Sequence, residues 1–243
     1  MALDGKRVLV IGGGSGIGYA VAEAALKDGA QVTVASSHAD KVRDAAGRLG
    51  GGAQAAALDV TDEAAVAAFF ADRAAGFDHI AFTAGDWGGP RRGPLADLDL
   101  AAAATLFRVR FWGALAVAKY AAPSLPPGGS LTLTDGMIAQ RPTKGSAVST
   151  AMAGAVEHLT RGLAVELAPV RVNCVCPGLI RTGVWDRIPE GDRQAEFSRL
   201  TSHQLLPRIG EPGEAAEAYL YLMRAGYTTG QVLYVEGGSA LGR

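Results

Sequence analysis

Residues 7–18 read RVLVIGGGSGIG, a short apolar run that leads directly into glycines. The apolar run, residues 7–11, is rich in β-branched side chains and predicts a buried strand, and a helix is predicted from about residue 17 to residue 28. Glycines at such a junction permit a tight turn and a close approach to the backbone, and the helix N-terminus offers free N–H groups. The junction therefore predicts a diphosphate site on Gly12, Gly14, Ser15, Gly16, Ile17 and Gly18.

The spacing of these glycines is GxxxGxG, on Gly12, Gly16 and Gly18, and not GxGxxG. By itself this spacing is a weak signal, because the chain contains 33 glycines. Its position between a strand and a helix makes the signal specific. A purely structural glycine turn is the alternative interpretation.

Strand-like and helix-like segments alternate along the rest of the chain, and short apolar strands separated by helices are typical of a parallel sheet covered on both faces. We therefore predict an α/β fold: a Rossmann-like, doubly wound parallel sheet of about seven strands, with helices on both faces in three layers. No linker or repeat marks a second domain, so residues 1–243 are expected to form one domain. Further strands are predicted at about 31–35, 54–58, 79–83, 130–134, 171–176 and 232–235, and helices at about 40–49, 62–75, 100–122 and 149–167.

The composition excludes several functional classes. With 49% hydrophobic residues and a formal net charge of −1, the chain can bury a large core but has no basic field for nucleic acid. The N-terminus lacks a signal-peptide pattern and no stretch is expected to span a membrane, so we predict a soluble, cytoplasmic protein. Cys174 and Cys176 lack further ligands nearby in sequence, which predicts small core residues and no metal site.

Further motifs follow the glycine turn in order: Asp59-Val60, Thr83-Ala84-Gly85, Arg171-Val172-Asn173, residues 177–182 (PGLIRT) and residues 230–238 (GQVLYVEGG). Together they resemble the compact branch of the short-chain dehydrogenase/reductase family, along essentially the whole chain. The resemblance implies nicotinamide dinucleotide binding and a homodimer or homotetramer formed through the two long helices, although small-residue faces on these helices can also pack only on the sheet. It implies adenine contacts from Asp59 and Val60, a cofactor-facing Thr83, Ala84 and Gly85, and contacts to the nicotinamide and its phosphates from Pro177, Gly178, Ile180 and Thr182.

The end of the second strand bears on the choice of cofactor. An acidic residue there would bind the ribose 2′-hydroxyl of NAD and repel the 2′-phosphate of NADP. This chain has Ser36, Ser37 and His38 instead, whose hydroxyls can bind a phosphate, and His38, Lys41 or Arg43 can add positive charge. We therefore expect NADP in preference to NAD, with an unselective solvated loop as the alternative.

The catalytic positions depart from the family pattern. The resemblance implies a Tyr-x-x-x-Lys pair on the fifth helix, but the tyrosine position holds Ser149 and the lysine position Ala153. The family's serine position falls on Asp135 or Gly136, and its asparagine position holds Arg110. Loss of a positioned acid costs roughly 10²- to 10⁴-fold in rate, so we expect either a different proton donor or an acceptor that needs none.

Asp135, Arg110 and Ser149 are the candidate catalytic residues. Asp135 follows a buried strand, and burial can raise its pKa into a useful range. Arg110 can stabilise a developing oxyanion, or it can pair with Asp135 and lower the pKa of that carboxyl. An ion pair that merely fills the vacated site is the structural alternative.

Two segments are predicted to face a small-molecule substrate. Residues 86–92 follow the fourth strand, and residues from about 183 to 206 are polar and weakly patterned, as in a mobile lid. Trp87, Trp112, Met137 and Trp185 suit a flat aromatic ligand, and nearby arginines suit an anionic one, with plain packing as the alternative.

Three functional hypotheses follow. The first is NADPH-dependent reduction of a carbonyl or quinone-like molecule by hydride transfer with a non-standard proton donor. The second is a non-redox enzyme, a cyclase or isomerase, on the same scaffold. The third is a catalytically inactive cofactor-binding protein.

Overall fold

One seven-stranded parallel sheet forms the centre of the structure, a computed structural model that describes residues 3–73, 76–85 and 93–242. The strand order is β3-β2-β1-β4-β5-β6-β7, so the order reverses between β1 and β4. The predicted α/β, doubly wound fold class is confirmed. The strands are β1 (Arg7–Ile11), β2 (Gln31–Ser36), β3 (Gln54–Ala57), β4 (His79–Phe82), β5 (Ser130–Thr134), β6 (Arg171–Pro177) and β7 (Val232–Val235).

Helices cover both faces of the sheet, because the strands carry apolar side chains on both sides. One core cluster joins the sheet to α1, α2 and α8, and the other joins it to α3, α5 and α6. The α-helices are α1 (Gly16–Lys27), α2 (Ala39–Leu49), α3 (Glu63–Ala71), α4 (Leu100–Ala104), α5 (Ala114–Ala121), α6 (Ala147–Glu166), α7 (Glu190–Thr201) and α8 (Pro212–Arg224).

Helix α8 has no counterpart among the segments predicted from the sequence. It begins with Pro212 in its first turn and a capping box between Glu211 and Glu214, which is a recognisable start signal. Its C-terminal end is held by Arg171, whose guanidinium donates to the carbonyl oxygens of Leu222, Met223 and Ala225. Thus β6 and the end of α8 are connected by a buried arginine.

The predicted long helix at residues 100–122 is wrong in detail, because the segment is divided into α4, a π-helical segment (Arg108–Gly113) and α5. The wider turn of a π-helix changes which side chains face the sheet, and such bulges are frequent at functional sites. Here the buried members of the π-helical segment are Arg110 and Gly113. A charged side chain is thereby directed toward the sheet.

The segment Leu100–Ser124 is also long and apolar enough to cross a membrane by length and composition, contrary to the expectation from the sequence. Core helices of soluble proteins meet the same criterion, so the observation is weak evidence for a membrane span. In this fold Ala114 and Val117 pack in the same core cluster as Phe69 of α3. The segment is thus one of the sheet-covering helical layers.

Candidate functional site

The glycine turn lies at the point where the strand order reverses, between the carboxyl ends of β1 and β4. Gly12 has a φ of 93°, and a Cβ on it would lie 2.5 Å from the backbone nitrogen of Ala84. A Cβ on Gly18 would lie 2.4 Å from both the carbonyl oxygen of Gly12 and Oγ1 of Thr83. The two strand ends can therefore approach each other only because these glycines have no side chains.

Helix α1 presents its N-terminus to this turn. The N-cap residue, Ser15, makes no side-chain hydrogen bond to the first helical turn, so the N–H groups there remain available to an anion. Thr182, from the segment after β6, lies across the turn, since a Cβ on Gly16 would be 3.1 Å from its Cγ2. Gly14 and Ile17 belong to the same turn, and the diphosphate site expected there from the sequence stays a prediction.

The second strand ends in a polar corner beside the glycine turn. The Ser37 hydroxyl lies 3.2 Å from Nδ1 of His38, and the His38 N–H donates to the Ser36 hydroxyl at 3.3 Å. The side chain of Lys41 lies against the turn, with its Cγ 3.5 Å from the position of a Cβ on Gly14. This corner combines hydroxyls and a lysine, which are groups that bind a phosphate.

Arg43 and Lys41, the two basic residues of this corner, differ in whether they form an ion pair. Arg43 forms an ion pair with Asp40 in the first turns of α2. Lys41 makes no ion pair with any described residue, so its ammonium group is available to a ligand. Between the lysine and the arginine that the sequence offers as sources of positive charge, the geometry favours Lys41.

Asp59 and Val60 follow β3, and only one of them is exposed. Asp59 is exposed, and its Oδ1 accepts hydrogen bonds from the N–H and hydroxyl of Thr61. Val60 is buried against the π-helical segment, where a Cβ on Gly113 would lie 2.8 Å from its Cγ2. Asp59 therefore offers polar atoms to a ligand, whereas Val60 shapes the wall of the site.

Thr83 has an inward-facing role that the sequence does not reveal. Its hydroxyl donates to the carbonyl oxygen of Ile11 at 3.0 Å, which joins the ends of β1 and β4 below the glycine turn. Ala84 and Gly85 continue toward the π-helical segment, and a Cβ on Gly85 would lie 2.6 Å from Nη2 of Arg110. The Thr-Ala-Gly motif therefore supports the turn, and Gly85 leaves room for the Arg110 guanidinium to lie close to the backbone.

The segment after β6 turns back over the same edge of the sheet. The Gly178 N–H donates to the carbonyl oxygen of Val235 at 2.9 Å, which places Pro177 and Gly178 beside β7. Ile180 is buried, and its carbonyl oxygen accepts from the indole N–H of Trp185 at 2.8 Å. This indole hydrogen bond connects the cofactor-facing segment to the predicted lid.

Arg110 is buried at the centre of the candidate site. Its Nη1 donates to the main-chain carbonyl oxygen of Asp135 at 2.9 Å, and not to the carboxylate. Burial lowers the pKa of the Arg110 guanidinium, although the neighbouring Asp135 acts in the opposite direction. The side-chain ion pair, which the sequence left as an alternative, is not formed between these two residues, and the arginine instead fixes the loop after β5.

Asp135 follows β5 directly and is 1% exposed. The alternation of the strand directs it to the face of Leu131 and Leu133, which pack toward α6. Neither of its carboxylate oxygens receives a hydrogen bond from a donor in the part of the chain that the structure describes. Burial, followed by the nearby carboxyl of Glu157, raises the pKa of Asp135 to about 8, and Arg110 opposes this shift. Asp135 therefore holds a proton at neutral pH.

Helix α6 supplies the opposite wall of this part of the site. Ser149 and Ala153 are both buried and lie one turn apart on the same face of the helix. A serine hydroxyl is a far weaker acid than a phenol, and alanine carries no charge. The wall formed by α6 thus provides no strong proton donor at these two positions.

Glu157 is a site residue that the sequence reasoning missed. It is 5% exposed and lies two turns beyond Ser149 on the buried face of α6, among Met152, Val156 and Thr160. That helical spacing is the signal that could have identified it, because a glutamate on an apolar face needs a partner. Its Oε1 accepts hydrogen bonds from Nε2 of Gln140 at 2.8 Å and from the Tyr234 hydroxyl at 3.4 Å.

The predicted lid segment contains a short 3₁₀ turn (Gly183–Trp185) and the whole of α7. The Trp185 and Phe197 rings pack edge to face with centroids 5.6 Å apart, which connects the two elements. Trp112 is 60% exposed on the π-helical segment, and Met137 lies 3.7 Å from Cys176 through its sulfur atom. Residues 86–92, which include Trp87, lie outside the described residues.

Cys174 and Cys176 are free and buried on β6, as expected for core residues. Among the residues that the structure describes, no group of histidine, cysteine, aspartate and glutamate side chains could hold a metal ion.

Comparisons with known proteins agree with this architecture. A family model described as Enoyl-(Acyl carrier protein) reductase matches residues 12–240. The short-chain dehydrogenase/reductase fsr5 of Gibberella fujikuroi is 35% identical over 98% of this chain and 96% of its own length. A small-chain dehydrogenase solved in complex with NADPH is 36% identical, with a TM-score of 0.83 over 98% of this chain and 100% of that one. The reductase/Diels–Alderase MalC from Malbranchea aurantiaca is 34% identical, with a TM-score of 0.91 over 98% of each chain.

These matches cover the glycine turn, the strand ends and the closing strand in a single alignment. With the strand order and the turn geometry described above, they leave one assignment. The chain belongs to the short-chain dehydrogenase/reductase family of NAD(P)-binding oxidoreductases.

Proposed function

We propose that this protein is an NADPH-dependent reductase of a carbonyl or quinone-like small molecule, with Asp135 as the proton donor. The observation that carries the proposal is the buried carboxyl of Asp135, which holds its proton at neutral pH. It lies near the Arg110 guanidinium, which packs against Gly85. The bound cofactor supplies the hydride, and this chain's own residues supply the cradle, the proton and the walls of the site.

The cradle supports the cofactor assignment. N–H groups at the start of α1 face the space where a diphosphate would bind, and Gly12 and Gly18 leave room for it. Ser37, His38 and Lys41 form the corner that would receive a 2′-phosphate, and no described carboxylate pairs with Lys41. Support for NADPH also comes from the related small-chain dehydrogenase that was solved with this cofactor.

Asp135 replaces the missing phenolic acid in this proposal. A carboxylic acid with a pKa near the working pH is an efficient general acid, because it is both protonated and able to release the proton. Arg110 holds the Asp135 carbonyl and directs positive charge to the same region, where it would stabilise negative charge on the acceptor oxygen. Ser149, on the facing wall, would orient the substrate.

The remaining parts of the site are assigned by the same argument. Residues 183–206 would act as a lid over a small substrate that is aromatic or anionic, with Trp185 as its hinge contact to Ile180. Residues 1–243 would form one domain. The exposed Trp112 lies on the helical layer through which we expect a homodimer or homotetramer to form.

A second candidate function is a non-redox cyclisation in the same cleft. The observation that favours it is the similarity to MalC, which is described as both a reductase and a Diels–Alderase. A buried acid and a buried arginine can polarise a substrate without any hydride transfer. The two functions use the same residues and differ only in the fate of the cofactor.

The test is calorimetric titration with NADPH and NADH, followed by a panel of ketones, quinones and polyene substrates. Each reaction is monitored by cofactor absorbance and by product mass. The proposal expects tighter binding of NADPH and a product heavier by two hydrogens for each cofactor oxidised. Product formation without cofactor oxidation would support cyclisation instead, and cofactor binding with no turnover would indicate a binding protein.

A further inference from the structure

We propose that Arg141 is a positioning residue that holds the end of the lid in place through residues 236–242, here called the strap. The inference rests on the proposed lid role of residues 183–206 and assigns the contact that fixes the lid. The strap follows β7 and contacts both the end of the lid and the loop after β5. One arginine therefore joins the lid to the loop that begins with the candidate acid, Asp135.

Hydrogen bonds join the strap to the end of the lid. The Leu206 N–H donates to the carbonyl oxygen of Gly237 at 2.8 Å, and the Ser239 hydroxyl lies 3.1 Å from Nε2 of His203. Ser239 is buried, and a buried hydroxyl needs a hydrogen-bond partner. The contact with His203 supplies that partner, so the polar side chain of the strap depends on the lid.

Two glycines let the strap approach the lid more closely than other residues could. A Cβ on Gly238 would lie 2.7 Å from Cβ of Leu205, and a Cβ on Gly242 would overlap the carbonyl oxygen of His203. A side chain at either position would therefore push the strap away from the lid. Substitution of Gly242 is thus a direct way to separate the two segments.

Arg141 holds the strap in its turned conformation. The N–H groups of Leu241 and Gly242 both donate to the carbonyl oxygen of Gly238, so the strap forms a compact turn. Nη1 of Arg141 donates to the carbonyl oxygen of Ser239 at 2.6 Å and to that of Gly242 at 3.3 Å. Hydrogen bonds from a charged donor are stronger than those between neutral groups. A single guanidinium nitrogen therefore fixes both ends of this turn.

The loop that carries Arg141 is itself fixed to the rest of the site. The Arg141 N–H donates to the Met137 carbonyl oxygen at 2.8 Å, at the end of the short turn that follows β5. The side chain of Gln140 donates to Oε1 of Glu157 on α6 at 2.8 Å and to the Tyr234 hydroxyl on β7 at 2.9 Å. The strap is thus attached to a loop that is held by two elements of the main fold.

The end of the lid has few other means of attachment. Trp185 connects the start of the lid to Ile180, but Leu205 and Leu206 at its end are 61% and 56% exposed. Exposed leucines contribute little through apolar burial, so the contacts with the strap stabilise this end. Loss of the Arg141 hydrogen bonds should therefore loosen the end of the lid and leave its start in place.

The test is amide hydrogen exchange, measured by NMR on the full chain without cofactor. In Arg141→Leu, exchange at the Leu206 amide is expected to be faster by about tenfold to a hundredfold, because the local opening no longer breaks a charged hydrogen bond. Arg199→Leu, at an exposed arginine of the lid that pairs only within α7, is the matched control and should leave this amide unchanged. Arg171→Met, which lowers global stability far from the strap, should leave it unchanged as well.

Two further variants separate the hydrogen bonds from other effects of the substitution. Arg141→Lys keeps a cationic nitrogen that can donate to both carbonyl oxygens, so it should restore most of the protection at Leu206. Gly242→Ala should displace the strap and speed exchange at Leu206 as Arg141→Leu does, whereas Leu241→Ala, at a position that is 77% exposed, should not. If Arg141→Leu does not fold, Gly242→Ala provides the same test.

Unchanged exchange at Leu206 in Arg141→Leu and Gly242→Ala, or no recovery in Arg141→Lys, would overturn the inference. Equal acceleration in Arg171→Met would overturn it too, because Leu206 would then report only global stability.

With substrate, KM should rise several-fold in Arg141→Leu, since the loosened lid must be ordered when the substrate binds. The kcat and the NADPH affinity should stay within about twofold, and a fall in kcat with unchanged KM would count against a role in holding the lid. Because the exchange measurement needs neither cofactor nor substrate, a strap that holds the lid in a protein that reduces nothing would refute the proposed function alone.

Discussion

Substitution of Asp135 by asparagine tests the electrostatics of the site through protein stability. The pKa of Asp135 rises from 3.8 to about 8 on folding. The folded state therefore holds a proton that the unfolded state releases between these values, so stability falls as pH rises from about 4 to about 8. The slope is at most about 1.4 kcal/mol per pH unit, and the accumulated loss between pH 4 and pH 7 is about 4 kcal/mol.

Asparagine has a similar shape but does not titrate, so it should lack this pH dependence. Its amide leaves hydrogen-bonding groups to be satisfied in a buried position, which costs about 1–3 kcal/mol at every pH. We therefore expect Asp135→Asn to be less stable than the unmodified protein at pH 4 and more stable at pH 7. The relative change in Tm across this range is about 10 °C for a domain of this size.

The assay is thermal or urea unfolding of both proteins from pH 4 to pH 8, with Ser149→Ala as the control. Ser149 is also buried at the site but uncharged, so its variant should keep the pH slope of the unmodified protein. Equal slopes for Asp135→Asn and the unmodified protein would refute the reasoning. Asp135→Asn should also lose reductase turnover by roughly 10²- to 10⁴-fold while retaining cofactor binding.

Three other substitutions test the cradle and the frame. In Gly12→Ala, the new Cβ would lie 2.5 Å from the backbone nitrogen of Ala84, on a residue whose φ is 93°. We therefore expect calorimetry to detect no NADPH binding, and normal affinity would contradict the described turn. Lys41→Ala should weaken NADPH binding about tenfold, equivalent to about 1.4 kcal/mol, and leave NADH binding unchanged, whereas Arg43→Ala, the matched control, should change neither. Arg171→Met leaves the carbonyl oxygens at the end of α8 without a donor and should destabilise the protein by about 3 kcal/mol or more in urea unfolding; a loss below about 1 kcal/mol would show that this arginine is dispensable.

Much of the architecture was predictable because it depends on local patterns. The apolar run at residues 7–11 followed by glycines identifies β1 and the start of α1, and the alternation of short apolar runs with helices predicts a parallel sheet. Helix α8 was missed although Pro212 and the Glu211–Glu214 capping box are visible in the sequence. Its interior reads as a mixture of alanine and aromatic residues, and its position is set by tertiary packing on α1 and β6.

The site was predictable where it depends on the backbone and less so where it depends on side-chain direction. Gly12, Gly16 and Gly18 are required by the shape of the turn, and their GxxxGxG spacing indicates this in the sequence. By contrast, the inward hydrogen bond of Thr83 to Ile11 arises from the meeting of β1 and β4, which are distant in sequence. Glu157 could have been noticed from its spacing on the apolar face of α6, but its hydrogen bond from Gln140 depends on how the loop after β5 meets that helix.

The central claim is that hydride leaves a cofactor bound at the glycine turn and that the proton comes from Asp135. The most direct measurement is turnover with NADPH deuterated at the transferable position of the nicotinamide, followed by mass spectrometry of the product. The account predicts one deuterium in the product for each NADPH oxidised by the unmodified protein, and almost none in the same time with Asp135→Asn. Product that forms at full rate without deuterium, or equal deuterium transfer by both proteins, would contradict it.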